Sequence, residues 1–211
     1  MVVVDGQTMY GPSARAKITF PKSFFVNGYV DGVPDAFEPA RKIQVGVQND
    51  KVPASVTPAE VLKQLTGIAA TNVKEGSING MASIQGIVNK NGRWIHLYIL
   101  KDENSKVDDA GNPQSKRDLF LITFSVPQGY SKAFEAEADQ IMQSFKRITA
   151  AEGKAVKPAV IRTRAVRGGD TVASLAAKQP FGPYNELFFR TFNGLDGNAE
   201  PKVGSWIKYV E

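Results

Sequence analysis

The chain has 211 residues, of which 42% are apolar and 22% are charged, and its formal net charge is +5. These values are typical of a folded chain with one medium domain, or with one medium and one small domain. The absence of cysteine excludes disulfides, thiolate zinc sites and cysteine nucleophiles. There is no long basic run, so nucleic acid is not an expected partner. No apolar run approaches the roughly 18–20 residues of a membrane span.

Five segments within residues 1–147 carry strand signals, through period-two alternation or through enrichment in β-branched and aromatic residues. These segments are residues 16–20, 43–47, 81–88, 94–100 and 119–126. Pro21 ends the first of them. The dipeptides Asn79-Gly80 and Asn91-Gly92 are turn signals on the two sides of the third. A polar stretch, residues 101–118, separates the last two and predicts a long hairpin connection.

Two amphipathic helices are predicted among these strands. The first has Thr57 as N-cap, Pro58 at its first position and Glu60 three residues after the cap. On the second, which begins near Ser131, one face carries Phe134, Ala138, Ile141 and Phe145. Strands that follow one another without an intervening helix form an antiparallel sheet, and the helices then cover its apolar face. The predicted class is therefore α+β.

Residues 148–160 lack a clean period and predict a linker. The remaining chain has the order β-α-α-β, with an Asn-Gly stop after the second helix. Its predicted elements are a strand over 161–166, a helix capped by Asp170 or Thr171, a helix over 184–192 and a strand over 205–210. We therefore predict an α+β domain in residues 1–147, a linker in 148–160 and a small domain in 161–211.

The small domain resembles a lysin motif. Its start, Arg164-Ala-Val-Arg-Gly-Gly-Asp-Thr-Val-Ala-Ser-Leu-Ala-Ala177, resembles the motif's strand, Gly-Asp-Thr turn and first helix. The segment from Leu187 to Leu195 resembles the second helix and its exit, and Val203-Gly204-Ser205-Trp206-Ile207-Lys208 resembles the closing strand. There are two departures from the motif. Val203 stands where proline is usual, and residues 178–184 form an insertion between the helices.

This resemblance implies a shallow groove for N-acetyl sugars, such as the glycan of peptidoglycan. Carried over residue by residue, it implicates Gly169, Asp170, Thr171, Asn193, Gly194, Leu195 and Asp196. The same residue types also have a purely structural interpretation, because Asp and Thr cap helix N-termini and Gly allows tight turns. The insertion and the missing proline favour an alternative in which the lysin-like fold has no sugar affinity and serves structure or protein contacts.

Aromatic residues are dense in the small domain. Trp206 alternates with Ile207 on the closing strand, so it points outward and either stacks on a sugar or packs against the first domain. Packing against the first domain is the favoured expectation for Trp206. A second group consists of Phe181, Phe188, Phe189 and Phe192. We expect these four to form a core, with an interface as the alternative.

The two-part organisation is similar to the non-catalytic C-terminal region of certain bacterial envelope zinc metalloproteases. The motifs in the first part are Ile18-Thr-Phe-Pro-Lys-Ser-Phe24, Ile78-Asn-Gly80 and Ile141-Met-Gln-Ser-Phe145. The sheet-and-helix pattern also resembles the PsbP-like sandwich, an analogy of fold alone. The resemblance implies a periplasmic or cell-envelope location, without a signal peptide in this chain, and a metalloprotease domain or an envelope protein as partner.

No catalytic site, cofactor or metal is expected in this chain. It lacks His-Glu-x-x-His and has a single histidine, whereas a zincin needs two histidines on one helical face. That histidine, His96, is expected on a polar or partly covered sheet face, with a hydrolase role as the last-ranked alternative. Four acidic residues raise the possibility of calcium, but their spacing does not fit an EF-hand loop. They are Asp102, Glu103, Asp108 and Asp109.

Overall fold

The structure is a computed structural model that describes residues 3–5, 7–11, 15–27, 35–66, 70–105, 116–157 and 160–210. Its strands, in chain order, are β1 (Val3–Asp5), β2 (Thr8–Gly11), β3 (Ala16–Thr19), β4 (Phe25–Val26), β5 (Ala36–Glu38), β6 (Ile43–Pro53), β7 (Thr71–Ile78), β8 (Met81–Lys90), β9 (Arg93–Asp102), β10 (Lys116–Pro127), β11 (Lys146–Arg147), β12 (Ile161–Ala165) and β13 (Trp206–Val210). The helices are α1 (Pro58–Thr66), α2 (Ser131–Ser144), α3 (Ala150–Ala155), α4 (Val172–Ala176) and α5 (Asn185–Asn193). Short 3-10 turns precede α2 and α5, at Gln128–Tyr130 and Gly182–Tyr184.

The strands of the described residues form three antiparallel sheets. Seven of them make the large sheet, in the order β4-β5-β6-β10-β9-β8-β7. The small sheet has the order β1-β2-β3-β11, and β12 pairs with β13 alone. Antiparallel sheets with few helices at their faces are the α+β architecture that the sequence predicts. That prediction is confirmed.

One face of the large sheet packs against α2 and the small sheet. Phe120, Ile122 and Phe124 alternate along β10 toward this face and are at most 1% exposed. Phe134 of α2 lies over Phe124, with ring centroids 5.4 Å apart. The apolar stripe predicted for α2 is buried here in full, through Phe134, Ala138, Ile141 and Phe145. This core is the larger of the two that the sheet supports.

The other face of the large sheet is covered by α1. Leu62 of α1 packs in a second buried cluster with Leu97 and Ile99 of β9 and Leu119 of β10. The helix starts as predicted, because the backbone N–H of Thr57 donates to Glu60 Oε2 over 2.7 Å and the Glu60 N–H donates to Thr57 Oγ1 over 3.2 Å. With both faces covered, the central strands of the sheet are buried on both sides.

The two predicted turns have the backbone geometry that their residues favour. Asn79 and Gly80 have φ of 48° and 81°, and Asn91 and Gly92 have φ of 53° and 71°. A type I′ hairpin requires positive φ at both central positions, which Asn and Gly adopt at low cost. These turns fix the register of the β7–β8 and β8–β9 hairpins.

Three motifs of the first part meet at the last turn of α2. Ser144 Oγ accepts the backbone N–H of Thr19 over 2.8 Å and donates to the Thr19 carbonyl over 3.0 Å. Asn79 Nδ2 donates to the carbonyls of Gln143 and Phe145 over 2.9 and 2.7 Å. The β3 strand, the β7–β8 turn and the end of α2 are therefore held as one junction.

The long connection predicted over residues 101–118 joins β9 to β10. Residues 106–115 lie outside the described part of the chain, so the prediction for them stays a prediction. Where the connection leaves and rejoins the sheet, Arg147 pairs with Asp102 over 3.1 Å and with Asp118 over 2.9 Å. The Asp118 N–H also donates to Ser105 Oγ over 2.7 Å. These bonds hold the two ends of the connection together.

The C-terminal unit, residues 160–210, follows the predicted β-α-α-β order. Strands β12 and β13 pair in antiparallel register, with Ala165 opposite Trp206. Helices α4 and α5 pack on them around a separate buried cluster. Its members are Val166, Val172, Leu175, Ala176, Phe189 and Ile207.

Some elements carry too weak a sequence signal to be predicted. Strand β7 is exposed from Thr71 to Ser77 and polar along most of its length, so it has no apolar alternation. Strands β4 and β11 have two residues each. Within the predicted linker the structure has helix α3, begun by a capping box between Thr149 and Glu152. A single short turn is below the length at which periodicity can be recognised.

We predict that Phe124→Ala destabilises the first part strongly. Phe124 is fully buried and contacts Tyr98 and Phe134 at ring distances of 5.7 and 5.4 Å. Removing such a ring leaves a cavity and costs about 3–5 kcal/mol of unfolding free energy. Urea denaturation followed by circular dichroism measures the loss. The control is Leu65→Ala on α1, where the side chain is 51% exposed and the expected change is within about 0.5 kcal/mol. Equal effects of the two substitutions would contradict the described core.

Candidate functional site

In the C-terminal unit, the loop before α4 is hydrogen-bonded to the loop between α5 and β13. We call residues 166–171 and 194–205 the loop pair. The backbone N–H of Val172 donates to Glu200 Oε2 over 2.7 Å. At the other end, the Gly204 N–H donates to the Val166 carbonyl over 2.9 Å and the Val166 N–H donates to the Ser205 carbonyl over 2.8 Å. Hydrogen bonds therefore connect the two segments of the loop pair near Val166 and near Val172.

Asp170 and Thr171 are occupied by bonds within the unit. Arg164 donates to both carboxylate oxygens of Asp170, over 2.9 and 3.1 Å, and the Arg167 N–H donates to the same carboxylate over 2.7 Å. The hydrogen bonds from Arg164 and then from Arg167 hold the pKa of Asp170 below its ordinary value. Thr171 caps α4 and shares a capping box with Ser174. These two side chains shape the turn, as the structural interpretation of the sequence predicts.

Asn193 and Gly194 tie α5 to the closing strand. The Asn193 amide donates to the Phe189 and Lys208 carbonyls over 2.8 and 2.9 Å, and it accepts the Lys208 N–H over 2.7 Å. Gly194 has φ of 60°, the left-handed conformation that ends a helix. Leu195 donates its N–H to the Arg190 carbonyl and packs on the buried cluster of the unit. The amide of Asn193 is thereby fully engaged in structure.

Several residues of the loop pair, and one residue next to it, are exposed. Gly169, with φ of 86°, and Asp196 lie at the surface. Val203 is 72% exposed and Trp206, the first residue of β13, is 73% exposed. Trp206 points away from Ile207, which is 3% exposed on the helix side of the strand. The expectation that Trp206 packs against the first part is wrong, because an indole in that contact would be buried.

The predicted aromatic core is divided between two environments. Phe189 is 1% exposed and belongs to the core of the C-terminal unit. Phe181, Phe188 and Phe192 form a separate half-buried cluster, with Phe181 and Phe188 stacked at 4.6 Å. Phe25 of strand β4 stacks on Phe188 at 4.7 Å. For Phe181 and Phe188, which contact Phe25, the interface alternative holds.

Glu200 and Phe25 are the residues of this region that sequence reasoning missed. Glu200 lies 28 residues from its partner, the Val172 N–H, and an exposed loop carboxylate carries no positional signal. Phe25 lies in a strand of two residues that shows no period. The Arg164–Asp170 pair had a weak signal, since opposite charges stand six residues apart across the Gly-Gly turn.

The single histidine lies beneath α2 rather than on a polar face. His96 is 2% exposed, its Nε2 is 3.0 Å from Ser131 Oγ, and its ring meets Phe134 edge-on at 6.0 Å. Burial lowers the pKa of His96, and the nearby carboxylates Glu135 and Asp139 oppose that shift. The expectation of a polar or partly covered sheet face is therefore wrong. Helix α2 closes over the strand at this point.

Tyr98, on the same sheet face as His96, donates to Asp139 Oδ1 over 2.9 Å. Burial, and then this hydrogen bond, raises the pKa of Tyr98 above its ordinary value. The small cavity beside the two rings is lined by Lys74, Gln85 and Glu135 among others. His96 Nε2 and the Tyr98 hydroxyl are engaged by Ser131 and Asp139 of α2, and these contacts brace α2 on the sheet.

Of the four acidic residues considered for calcium, the two that the structure describes form salt bridges. Asp102 pairs with Arg147, and Glu103 pairs with Lys101 over 2.9 Å. Asp108 and Asp109 lie outside the described residues. Across the described ranges, no three His, Asp or Glu side chains are grouped so that they could hold a metal ion. In the same ranges, no helix has both the length and the apolar character that crossing a membrane requires.

Comparisons with known proteins give likenesses of fold only. No protein-family model and no curated protein sequence matches the chain. A crystal structure of LpqN, involved in cell envelope biogenesis of Mycobacterium tuberculosis, is similar at 12% identity and a TM-score of 0.46, over 64% of this chain and 83% of that one. The solution structure of cyanobacterial PsbP (CyanoP) from Synechocystis sp. PCC 6803 is similar at 12% identity and 0.45, over 69% and 94%. A crystal structure from Bacteroides thetaiotaomicron is similar at 12% identity and 0.42, over 83% and 58%.

We predict that the unfolding free energy of the protein decreases as the pH is lowered below about 6.5, and that His96 contributes to this decrease. Its pKa in the folded state is below the unfolded value of about 6.5, so the unfolded chain binds the proton first as the pH falls. The contribution of neutral His96 is present above pH 6.5 and is lost as the pH falls through the window down to the folded pKa. Urea denaturation at pH 7.5 and 5.5 measures this loss.

The control for this prediction is His96→Gln, which keeps a polar partner for Ser131 and does not titrate. His96 is the only histidine in the chain, so the variant removes every histidine proton from the window. The wild-type chain should lose more unfolding free energy between the two pH values than the variant does, by at most about 1.4 kcal/mol per pH unit. Identical pH dependence of the two proteins would show that His96 protonation is not linked to folding.

We predict that Asn193→Ala destabilises the C-terminal unit by about 1–3 kcal/mol, because it leaves polar groups of Phe189 and Lys208 without their partner. Thermal unfolding measures the loss. Thr191→Ala serves as the control, since the Thr191 hydroxyl only bonds back to the Leu187 carbonyl on the exposed side of α5. Its effect should be within about 0.5 kcal/mol. If Asn193→Ala behaves like the control, the amide does not hold α5 to β13.

Proposed function

We propose that the chain is a non-catalytic accessory protein of the bacterial cell envelope whose C-terminal unit binds the N-acetyl sugars of peptidoglycan. The observation that supports this proposal is the loop pair, whose segments are hydrogen-bonded to each other, with Val203 exposed in it and Trp206 exposed next to it. An indole that is 73% exposed presents an aromatic face on which the apolar face of a sugar ring can stack.

The contacts in this proposal differ from those that residue types alone suggest. The side chains of Asp170, Thr171 and Asn193 have their hydrogen bonds within the protein. Their part in binding is to hold the loops in shape. The acetamido group of the sugar is then bound by exposed main-chain groups of the loop pair near Gly169 and Asp196, and the ring is bound by Trp206. A rigid loop pair lowers the entropy cost of binding.

The first part is assigned no chemistry in this proposal. Its described polar groups near His96 are engaged in bracing α2, which supports a non-catalytic role. The resemblance to the C-terminal region of an envelope zinc metalloprotease implies that the partner is a peptidase domain or another envelope protein. We propose the same division of the chain as the sequence suggests, with the first domain in residues 1–147, a linker in 148–160 and a wall-binding domain in 161–211.

A second candidate function is a structural or protein-binding module without sugar affinity. The observation that favours it is the internal use of the groove side chains, Asp170, Thr171 and Asn193. A fold kept for protein contacts needs these residues for its own stability and has no need of an exposed platform for a sugar. The two candidates therefore differ in what they require of Trp206.

Co-sedimentation with purified insoluble peptidoglycan at moderate salt tests the proposal. The wild-type chain should be retained in the pellet, and Trp206→Ala should lower the affinity up to about tenfold, because stacking on an aromatic ring contributes about 0.5–1.5 kcal/mol. Tyr130→Ala is the matched control, since this aromatic side chain is 45% exposed in the first part. It should sediment as the wild type does.

The same experiment separates the two candidates. Soluble oligomers of N-acetylglucosamine should release the wild-type chain from the pellet if sugar is the ligand. Absence of sedimentation by a wild-type chain that is folded by circular dichroism would overturn the sugar proposal and favour the protein-binding module.

A further inference from the structure

We propose that the insertion between α4 and α5, residues 178–184, is a docking element that fixes the C-terminal unit on the first part through Phe25. In a lysin motif the two helices follow each other closely, and the insertion is the larger of the two departures in this sequence. It supplies Phe181 and Tyr184 to the aromatic cluster that contacts strand β4. This inference is independent of whether the loop pair binds sugar.

The contact is centred on one ring. Phe25 stacks on Phe188 at 4.7 Å with an interplanar angle of 14°. Tyr184 meets the Phe25 ring edge-on at 5.7 Å and 85°, and Phe181 lies at 6.3 Å. Stacked and edge-on arrangements at these distances are the favourable geometries of aromatic pairs. Phe25 is thus held from three directions by rings of the other unit.

A further point of approach lies at Gly182. This residue, with φ of 57°, lies so close to Gln7 that a Cβ atom there would be 3.1 Å from Gln7 Oε1. The Gln7 amide in turn donates to the carbonyls of Pro21 and Phe24, so it holds the segment that presents Phe25. Two segments of the first part, at Gln7 and at Phe25, therefore approach the insertion.

The insertion is braced from within its own unit. The Phe181 N–H donates to Asn185 Oδ1 over 2.7 Å. Gln179 is 7% exposed, donates to the Leu175 carbonyl over 3.3 Å and accepts the Val210 N–H over 2.8 Å. Phe25 thus meets a surface whose shape is set by α4, α5 and β13. A preformed surface loses less conformational entropy on docking than a free loop does.

The consequence is a fixed orientation of the loop pair relative to the large sheet. Small contacts between units within one chain usually permit relative motion. Here the contact is aromatic and half-buried, and it joins the units at a second place besides the chain connection. We infer that the two units move as one body while Phe25 is in place.

A spin-label distance measurement tests this inference on the full chain. The sequence has no cysteine, so Glu75→Cys on β7 and Ala173→Cys on α4 give two labelled positions, both exposed. The parent double-cysteine protein should give one narrow distance distribution. Adding Phe25→Ala should broaden the distribution at least twofold, because the second attachment is lost. A narrow distribution that Phe25→Ala leaves unchanged, or a broad one in the parent, would overturn the docking role.

Matched variants distinguish undocking from general damage. Phe24→Leu alters the neighbouring ring, which is fully buried in the core of the first part and does not contact the insertion. It should lower the melting temperature while leaving the distance distribution narrow. Phe188→Ala removes the ring opposite Phe25 and should broaden the distribution as Phe25→Ala does, with no further broadening in the double variant. Additive broadening would show that the two rings act separately and would contradict the proposal.

Discussion

Strand β10 lies at the centre of the large sheet and pairs along most of its length with β6 on one side and with β9 on the other. Its side chains alternate between two buried cores, with Phe120 and Phe124 toward α2 and Leu119 toward α1. Buried backbone groups need hydrogen-bond partners, and the two ladders provide them over most of the strand. Helices α1 and α2 pack in the two cores to which this strand contributes.

A second set of interactions, at the end of α2, holds the first part together. Ser144 and Asn79 are polar side chains that satisfy backbone groups of β3 and of the last helical turn. They explain why three short motifs, distant in sequence, occur together in this chain, because each supplies one side of the same junction. The motifs that carry the resemblance in the first part are thus structural in their local role, and they bear on fold more directly than on chemistry.

In the C-terminal unit, the polar residues implicated by the sequence are used for structure. Asp170 and Asn193 are the groups that a residue-based search selects as ligands, and both are engaged in holding the loop pair in shape. Val203 in the loop pair and Trp206 next to it remain exposed. Internal hydrogen bonds therefore account for the polar residues of the loop pair, and its exposed apolar side chains are not used in this way.

The contact between the two units depends on which phenylalanines of α5 point toward the first part. Phe189 lies inside its own core, while Phe188, its neighbour in α5, points out to Phe25. On a helix, adjacent positions differ by about 100°, so neighbours of identical type take different roles. A high local frequency of phenylalanine therefore indicates that these side chains are buried. It does not indicate which surface each of them packs against.

The sequence by itself determined the local elements: the capped start of α1, the stripe of α2, the Asn-Gly hairpin turns, the left-handed stop at Gly194 and the β-α-α-β order. Each depends on residues within one or two turns of each other, where propensity and periodicity act directly. Tertiary structure alone decided the burial of His96, the exposure of Trp206 and the meeting of Phe25 with the insertion. These depend on contacts between segments far apart in the chain, and no local pattern encodes which distant surface will cover a given side chain.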